Sequence, residues 1–290
     1  MAEKIERDPV TGVQTTGHEW DGIKELDNPM PRWWLWVFYA CIAFSVLWWI
    51  LYPSWPSHRG HLPGILGSNQ RLELDERLAE ARAAQAVFLE RIAASTPEEI
   101  AQAPDLLNFA IHGGQRHFND NCAGCHGLGG GGQLHYPSLA DDAWIWGGTM
   151  EEIAYTINHG IRNEDDMDAR FSMMPAYGAD GILERAQIAE VAEYVLSLGD
   201  REHDAALAAA GAENFAIHCA ACHMEDGSGM KELGAPALSD AVWLYGGERE
   251  NIIAQITNPR HGVMPAWQGR LPEEVIKMLT VYVHNLGGGQ

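Results

Sequence analysis

The sequence predicts a mainly α-helical chain: one N-terminal transmembrane helix followed by two tandem small helical domains. Three observations carry this expectation. Residues 33–52, WWLWVFYACIAFSVLWWILY, run for 20 positions without a charge. A set of motifs within 105–200 recurs in the same order within 204–290. Neither block shows the sustained apolar–polar alternation of half-buried strands.

The chain of 290 residues carries a formal charge of -21. Such acidity repels phosphate and argues against nucleic acid as a partner. It favours a basic protein partner drawn in by long-range attraction, although acidity also serves solubility alone. Residues 1–32 are mostly polar and are expected to form a segment on one side of a membrane. The apolar run is long enough to cross a hydrocarbon core of about 30 Å. Trp33, Trp34 and Trp36 crowd one end, and Trp48, Trp49, Tyr52 and Trp55 the other, as in the aromatic belts of spanning helices. Pro53 and Pro56 end it, giving an anchor over 33–53. A cleaved signal peptide would start nearer the N-terminus, have a shorter apolar part and lead into a small-residue site. Charge does not fix orientation, since Lys24 and Arg32 on one side face Arg59 and Arg71 on the other.

Residues 54–104 read as a helical linker. LELDERLAEARAAQAVFLERIAAS (72–95) is rich in helix formers. STPEEI (95–100) marks a helix start, with Ser95 or Thr96 as cap and Pro97 in the first turn. The linker either packs on a partner or is a solvated spacer.

The repeats follow. CAGCH (122–126) and CAACH (219–223) anchor the alignment. Gly114 and Gly211 each stand eight residues before the first cysteine of their motif, and Phe118 and Phe215 four before it. Those offsets place them on one face of a helix running into the motif. PSLADDAWIWGG (137–148) then matches PALSDAVWLYGG (236–247), EEIAYTINHG (151–160) resembles ENIIAQITNP (250–259), and MPAYG (174–178) matches MPAWQ (264–268). An apolar-periodic helix closes each repeat, with Tyr194 and Tyr282 in matching places. The repeats differ mainly in IRNEDDMDARFSM, present in the first where the second has only Val263. The insert is expected to be a solvated loop, with partner docking as the lesser reading.

C-x-x-C-H is the attachment pattern of c-type haem. Two thiols add to the two vinyl groups on one side of the porphyrin, and the adjacent histidine is held beneath the iron. The pattern therefore implies two covalently attached haems, at Cys122, Cys125 and His126 and at Cys219, Cys222 and His223. A methionine as the second axial ligand suits electron transfer. Met174 and Met264 alone occupy the repeated M-P-A-aromatic setting, so His126/Met174 and His223/Met264 are the expected metal ligands. Met173, His159 and His261 are the competitors. Each methionine is expected to serve its own repeat, while domains packed face to face could exchange them.

Each block resembles the small cytochrome c fold, over 105–200 and 204–290. That resemblance implies two tandem small cytochrome c domains whose first and last helices cross beside the motif, pairing Phe118 with Tyr194 and Phe215 with Tyr282. It also places Trp144 and Trp243 near the haem propionates, with an ordinary core role as the other reading. Haem is attached to such proteins outside the bacterial cytoplasmic membrane. This implies a cytoplasmic N-terminus and periplasmic haem domains.

The front of the chain adds GHEWDGIKELDNPMPRWWLW (17–36) and YPSWP (52–56). With the anchor and both haem domains, it resembles the diheme subunit of cbb3-type cytochrome c oxidases, the CcoP/FixP family. The resemblance implies a non-catalytic subunit without catalytic residues. Such a subunit takes electrons from a cytochrome c or the bc1 complex and passes them to a monohaem subunit and the haem–copper catalytic subunit. The alternatives are a stand-alone membrane diheme carrier serving a dehydrogenase and a diheme peroxidase, which would need one open iron face.

Overall fold

The computed structural model describes residues 5–58 and 60–289, so Arg59 lies outside the described residues. The chain divides into two compact units, residues 1–83 and 84–290.

The first unit opens with an antiparallel hairpin, β1 (Thr15–Trp20) and β2 (Ile23–Leu26), in which Trp20 pairs with Ile23. Asp21 and Gly22 both have positive φ, as a two-residue Asp-Gly hairpin turn requires. The hairpin falls in a segment expected only to be polar, because its apolar positions do not alternate cleanly. Helix α1 follows over Arg32–Leu51, with no buried residue. It is the one helix among those described that is long and apolar enough to cross a membrane. Cys41 is exposed on its surface. A small antiparallel pair, β3 (Pro56–Ser57) and β4 (Gly60–His61), comes next, so the first part of 54–104 is not helical.

Helix α2 (Gln70–Ala94) crosses the division between the units. Its second half is no solvated spacer. Ile92 is fully buried, as is Ile100 of α3 (Pro97–Gln102), in one core with Phe118 and Leu279. Thr96 caps α3 in a reciprocal capping box with Glu99, and Pro97 takes the first turn.

The rest of the second unit is helical: α4 (Pro104–Asn121), α5 (Ala123–His126), α6 (Met150–His159), α7 (Arg185–Leu198), α8 (Ala205–His218), α9 (Ala220–His223), α10 (Arg249–Thr257) and α11 (Glu273–His284). The long helices do not pair within the repeats. Helix α4 packs on α11, α8 packs on α7, and α6 and α10 join α11 and α7 respectively. Two cores result. One holds Phe118, Ile153 and Ile157 of the first repeat with Val275, Leu279 and Tyr282 of the second. The other holds Ile188, Val191 and Val195 of the first with Phe215, Ile252 and Ile256 of the second.

This corrects the expected ring pairs. Phe118 meets Tyr282 at 5.4 Å between ring centroids, and Phe215 meets Tyr194 at 4.9 Å. The repeated glycines mark both crossings. A Cβ on Gly114 would overlap the Met278 carbonyl, and one on Gly211 the Glu190 carbonyl. The sequence could not show the exchange, because equivalent helices carry equivalent apolar faces and either partner satisfies the pattern.

Candidate haem-attachment centres

In both centres a long helix ends at the first cysteine and a single turn carries the second cysteine and the histidine. Cys122 caps α4, and the His126 N–H donates to the Cys122 carbonyl at 2.9 Å; His223 repeats the bond to Cys219 at 2.9 Å. This turn brings both cysteines and the histidine onto one short stretch of backbone. Cys122 and Cys219 are largely enclosed, and burial, helped by the neighbouring thiol, pushes each up to about 11. Cys125 and Cys222 are exposed.

The imidazoles are oriented alike. His126 Nδ1 donates to the Pro137 carbonyl at 3.0 Å, and His223 Nδ1 to the Pro236 carbonyl at 2.9 Å. A carbonyl only accepts, so Nδ1 carries the proton and Nε2 keeps its lone pair for a metal. Burial holds both rings below the ordinary histidine value, which also favours the neutral, ligating form. Pro137 and Pro236 open the repeated P-x-L segment. The sequence showed that segment to be repeated but not that it supplies the carbonyl orienting the histidine.

The methionines sit opposite to expectation. Met264 packs against the core that holds Phe118 and Cys122, and Met174 against the core that holds Phe215 and Cys219. Backbone bonds fix both placements. Ile161 and Met264 exchange N–H···O bonds, each 3.0 Å long. Trp267 N–H donates to Ile157 O of α6 at 3.0 Å, and Ala179 N–H to Thr257 O of α10 at 2.9 Å. The expectation that each methionine serves its own repeat is thus at odds with the packing. The M-P-A loop of each repeat closes on the helix of the other.

The competing ligands separate. Met173 is more than half exposed. His159 turns to the insert, with Nδ1 3.1 Å from Asp166 Oδ2. His261 lines the same cleft as Met174, and its Nε2 is enclosed without a protein partner. Trp144 and Trp243 pack against the first and second cores. Their indole N–H groups donate to the backbone carbonyls of Gly288 and Asp240. The insert is only half solvated. Met167 is fully exposed, whereas Arg170 reaches back to Thr156 Oγ1 at 2.8 Å and lies over the rings of Trp146 and Tyr155.

The donor set fits c-type haem: paired thiols, an imidazole whose Nε2 lone pair is free, a thioether in the same core, and an orphaned polar nitrogen beside one methionine. Two such centres behind a membrane-spanning helix define a membrane-anchored diheme cytochrome c.

Comparison with known proteins narrows the class. The family model for the N-terminal domain of cytochrome oxidase-cbb3, FixP, matches residues 12–59. A cytochrome c model matches 111–199, and that for cytochrome c oxidase, cbb3-type, subunit III matches 206–283. The chain is 52% identical to the cbb3-type cytochrome c oxidase subunit CcoP of Azospirillum brasilense, over the full length of both. It is 49% identical to CcoP of Cereibacter sphaeroides, covering 95% of each chain. It is also 49% identical to the subunit FixP of Azorhizobium caulinodans, covering 98% of this chain and 96% of that one. The chain belongs to the CcoP/FixP family of cbb3-type cytochrome c oxidase subunits. It is an electron-transfer subunit of that oxidase, anchored in a membrane, with two c-type haem domains. Nothing in these likenesses favours a dehydrogenase carrier or a peroxidase.

Proposed function

We propose that the chain is a non-catalytic relay in which His126 and Met264 ligate one haem iron while His223 and Met174 ligate the other. Each haem domain is then assembled from both repeats: α4, α6 and α11 around Cys122 and Cys125, and α8, α10 and α7 around Cys219 and Cys222. The observation carrying this reading is the placement of each methionine in the core of the other repeat's C-x-x-C-H motif. When bound, each haem supplies a one-electron iron couple. The protein's part is to hold the porphyrin by two thioethers, aim Nε2 through the Pro137 and Pro236 carbonyls, and exclude water with Phe118, Phe215 and the crossing helices. A methionine thioether at the iron would favour its reduced form and close it to other ligands. No general base or nucleophile is needed.

Anchoring by α1 with the N-terminus in the cytoplasm puts both centres in the periplasm, where c-type haem is attached. There the subunit would pass electrons from a cytochrome c or the bc1 complex towards the monohaem and haem–copper subunits. The charge of -21 suits a basic donor. At ionic strengths where the screening length falls below about 10 Å, the electron-entry rate should drop. A rate insensitive to salt would remove the basic donor from this scheme.

The ligand assignment is tested by single-haem chains. In a Cys219→Ser/Cys222→Ser background only the first haem is attached, as mass spectrometry verifies. Met264→Ala should then abolish the charge-transfer band of sulfur bound to ferric iron and open the ferrous haem to carbon monoxide, while Met174→Ala leaves both unchanged. The reverse result would restore ligation within each repeat.

A further inference from the structure

The two methionine-bearing segments cross at one side chain. Arg162 Nε donates to the Gly262 carbonyl at 2.6 Å, and its Nη1 donates to the Ser172 carbonyl at 3.0 Å. Ser172 stands two residues before Met174, and Gly262 two residues before Met264. A single planar guanidinium therefore grips both segments at the same offset from the proposed ligand. Its fork suits two carbonyls fixed in direction, which a lysine ammonium cannot match.

Three further features mark the position as built. Arg162 adopts φ +50°, a left-handed conformation that side chains other than glycine seldom take. Backbone bonds brace it there, with Arg162 N–H donating to Arg170 O at 2.8 Å and Arg170 N–H to Gly160 O at 3.1 Å. Among the described residues no carboxylate lies within ion-pair distance of Arg162, unlike Arg249 with Glu193. Its charge is satisfied by carbonyl dipoles instead, and burial pulls it below the ordinary arginine value.

The insert explains the need. The first repeat carries 161–173 where the second has Val263 alone, so Met174 sits at the end of a longer excursion. Tying Arg162 to Ser172 closes that excursion at its base and removes its slack from the methionine. Tying the same group to Gly262 makes the second segment share the restraint.

We propose that Arg162 is the common positioning residue of both sixth-ligand loops, so that sulfur ligation at the two irons is mechanically coupled through one side chain. This rests on the crosswise assignment of Met174 and Met264. A loop freed at Arg162 frees its counterpart, and both irons lose part of their thioether occupancy together.

The test uses the full-length subunit with both haems attached, verified by mass. Arg162→Asn keeps a residue tolerant of positive φ but removes the reach. It should lower the ferric sulfur–iron band by more than half, beyond what loss at one haem produces. It should also lower both midpoint potentials and let carbon monoxide bind at both ferrous haems. Arg162→Lys, able to make one bond but not the fork, should fall between Asn and wild type; it carries the test alone if the Asn variant fails to take up two haems. Arg260→Gln, an exposed arginine of the second segment bonded to His135, should leave the spectrum as in wild type. Loss confined to one haem, or no loss with both haems attached, overturns the proposal. A wild-type subunit lacking the band would instead overturn the methionine assignment beneath it.

Discussion

The two haem-attachment centres share their motifs but are closed by different chemistry. On α11, against the first centre, Val281 precedes Tyr282 and is fully buried. At the matching place on α7, Glu193 precedes Tyr194 and is just as deeply enclosed. Its carboxylate pairs with Arg249 of α10 and accepts the Asp204 N–H at 2.8 Å at the start of α8. Arg249 in turn occupies the place that buried Met150 holds at the start of α6. One centre is sealed by an apolar seam and the other by a charged knot joining three helices. A buried ion pair gives little net stability over an apolar pair of similar volume. It does penalise the wrong helix: Glu193 is enclosed while Arg249 is partly exposed, so α7 docked on α4 would bury Glu193 without its arginine. The charged knot at one centre only is a physical reason for the repeats to exchange their last helices in one register.

The largest expected effects lie at the crossings. Gly114→Ala and Gly211→Ala each push a Cβ into a backbone carbonyl of the facing helix. Each should cost about 2–3 kcal/mol, since backbone cannot yield as a side chain does. The informative readout is which ligand suffers. Gly114→Ala should weaken sulfur ligation at the haem of Cys122 through α11 and Met264, and leave the ligation by Met174 intact. Unfolding followed by the sulfur–iron band in single-haem chains reads this directly. Damage to Met174 instead would break the crosswise picture.

Next in size is the charged knot. Glu193→Gln should destabilise the second centre by about 2 kcal/mol, through loss of charge-assisted bonds in an enclosed site. The hydrogen bond from Arg249, outweighing burial, holds the Glu193 carboxyl below its ordinary value of 4.5. A carboxyl depressed on folding contributes stability that is fully present above its unfolded value and is lost as pH falls through the lower folded value. Acid unfolding of the second centre should therefore steepen below about pH 4.5, and Glu193→Gln should flatten that slope. Val281→Ala should lower the first centre's stability by about 1–2 kcal/mol with no change in pH dependence. Equal acid slopes before and after Glu193→Gln would place the pH sensitivity elsewhere.

These comparisons also show what the sequence could and could not carry. Cys122, Cys125 and His126, with Cys219, Cys222 and His223, were legible because their chemistry is local: a pattern of five residues fixes thiols and imidazole on one turn. Helix α1 was legible from hydropathy, and the start of α3 from Ser95 or Thr96 before Pro97, although not which of the two would cap it. The crosswise packing was not, because Val191 and Leu279 are interchangeable to any periodicity argument. One difference that separates the partners is the buried Glu193 against the buried Val281. Nothing in the sequence marks Glu193, because its partner, Arg249, lies 56 positions away. Arg162 was hidden similarly, inside an insert read as solvated from its run of acids.

The smallest predicted effect concerns the residue after the histidine of each C-x-x-C-H motif. Gly127 takes φ +76°, ψ 160°, and Met224 takes φ +64°, ψ 160°. That region is nearly restricted to glycine, and a side chain there costs about 1–3 kcal/mol. The second centre thus holds a strain that the first avoids. Met224 is 41% exposed, so removing its side chain forfeits little packing. Met224→Gly should stabilise the second centre by about 1 kcal/mol, after glycine's greater unfolded-state entropy is set against the relieved strain. Denaturant unfolding in a chain with only the second haem would show the midpoint rise. A fall instead would mean that the Met224 side chain contributes more to the second centre than its exposure indicates. The strain would then be the cost of a contact that the first centre does not make.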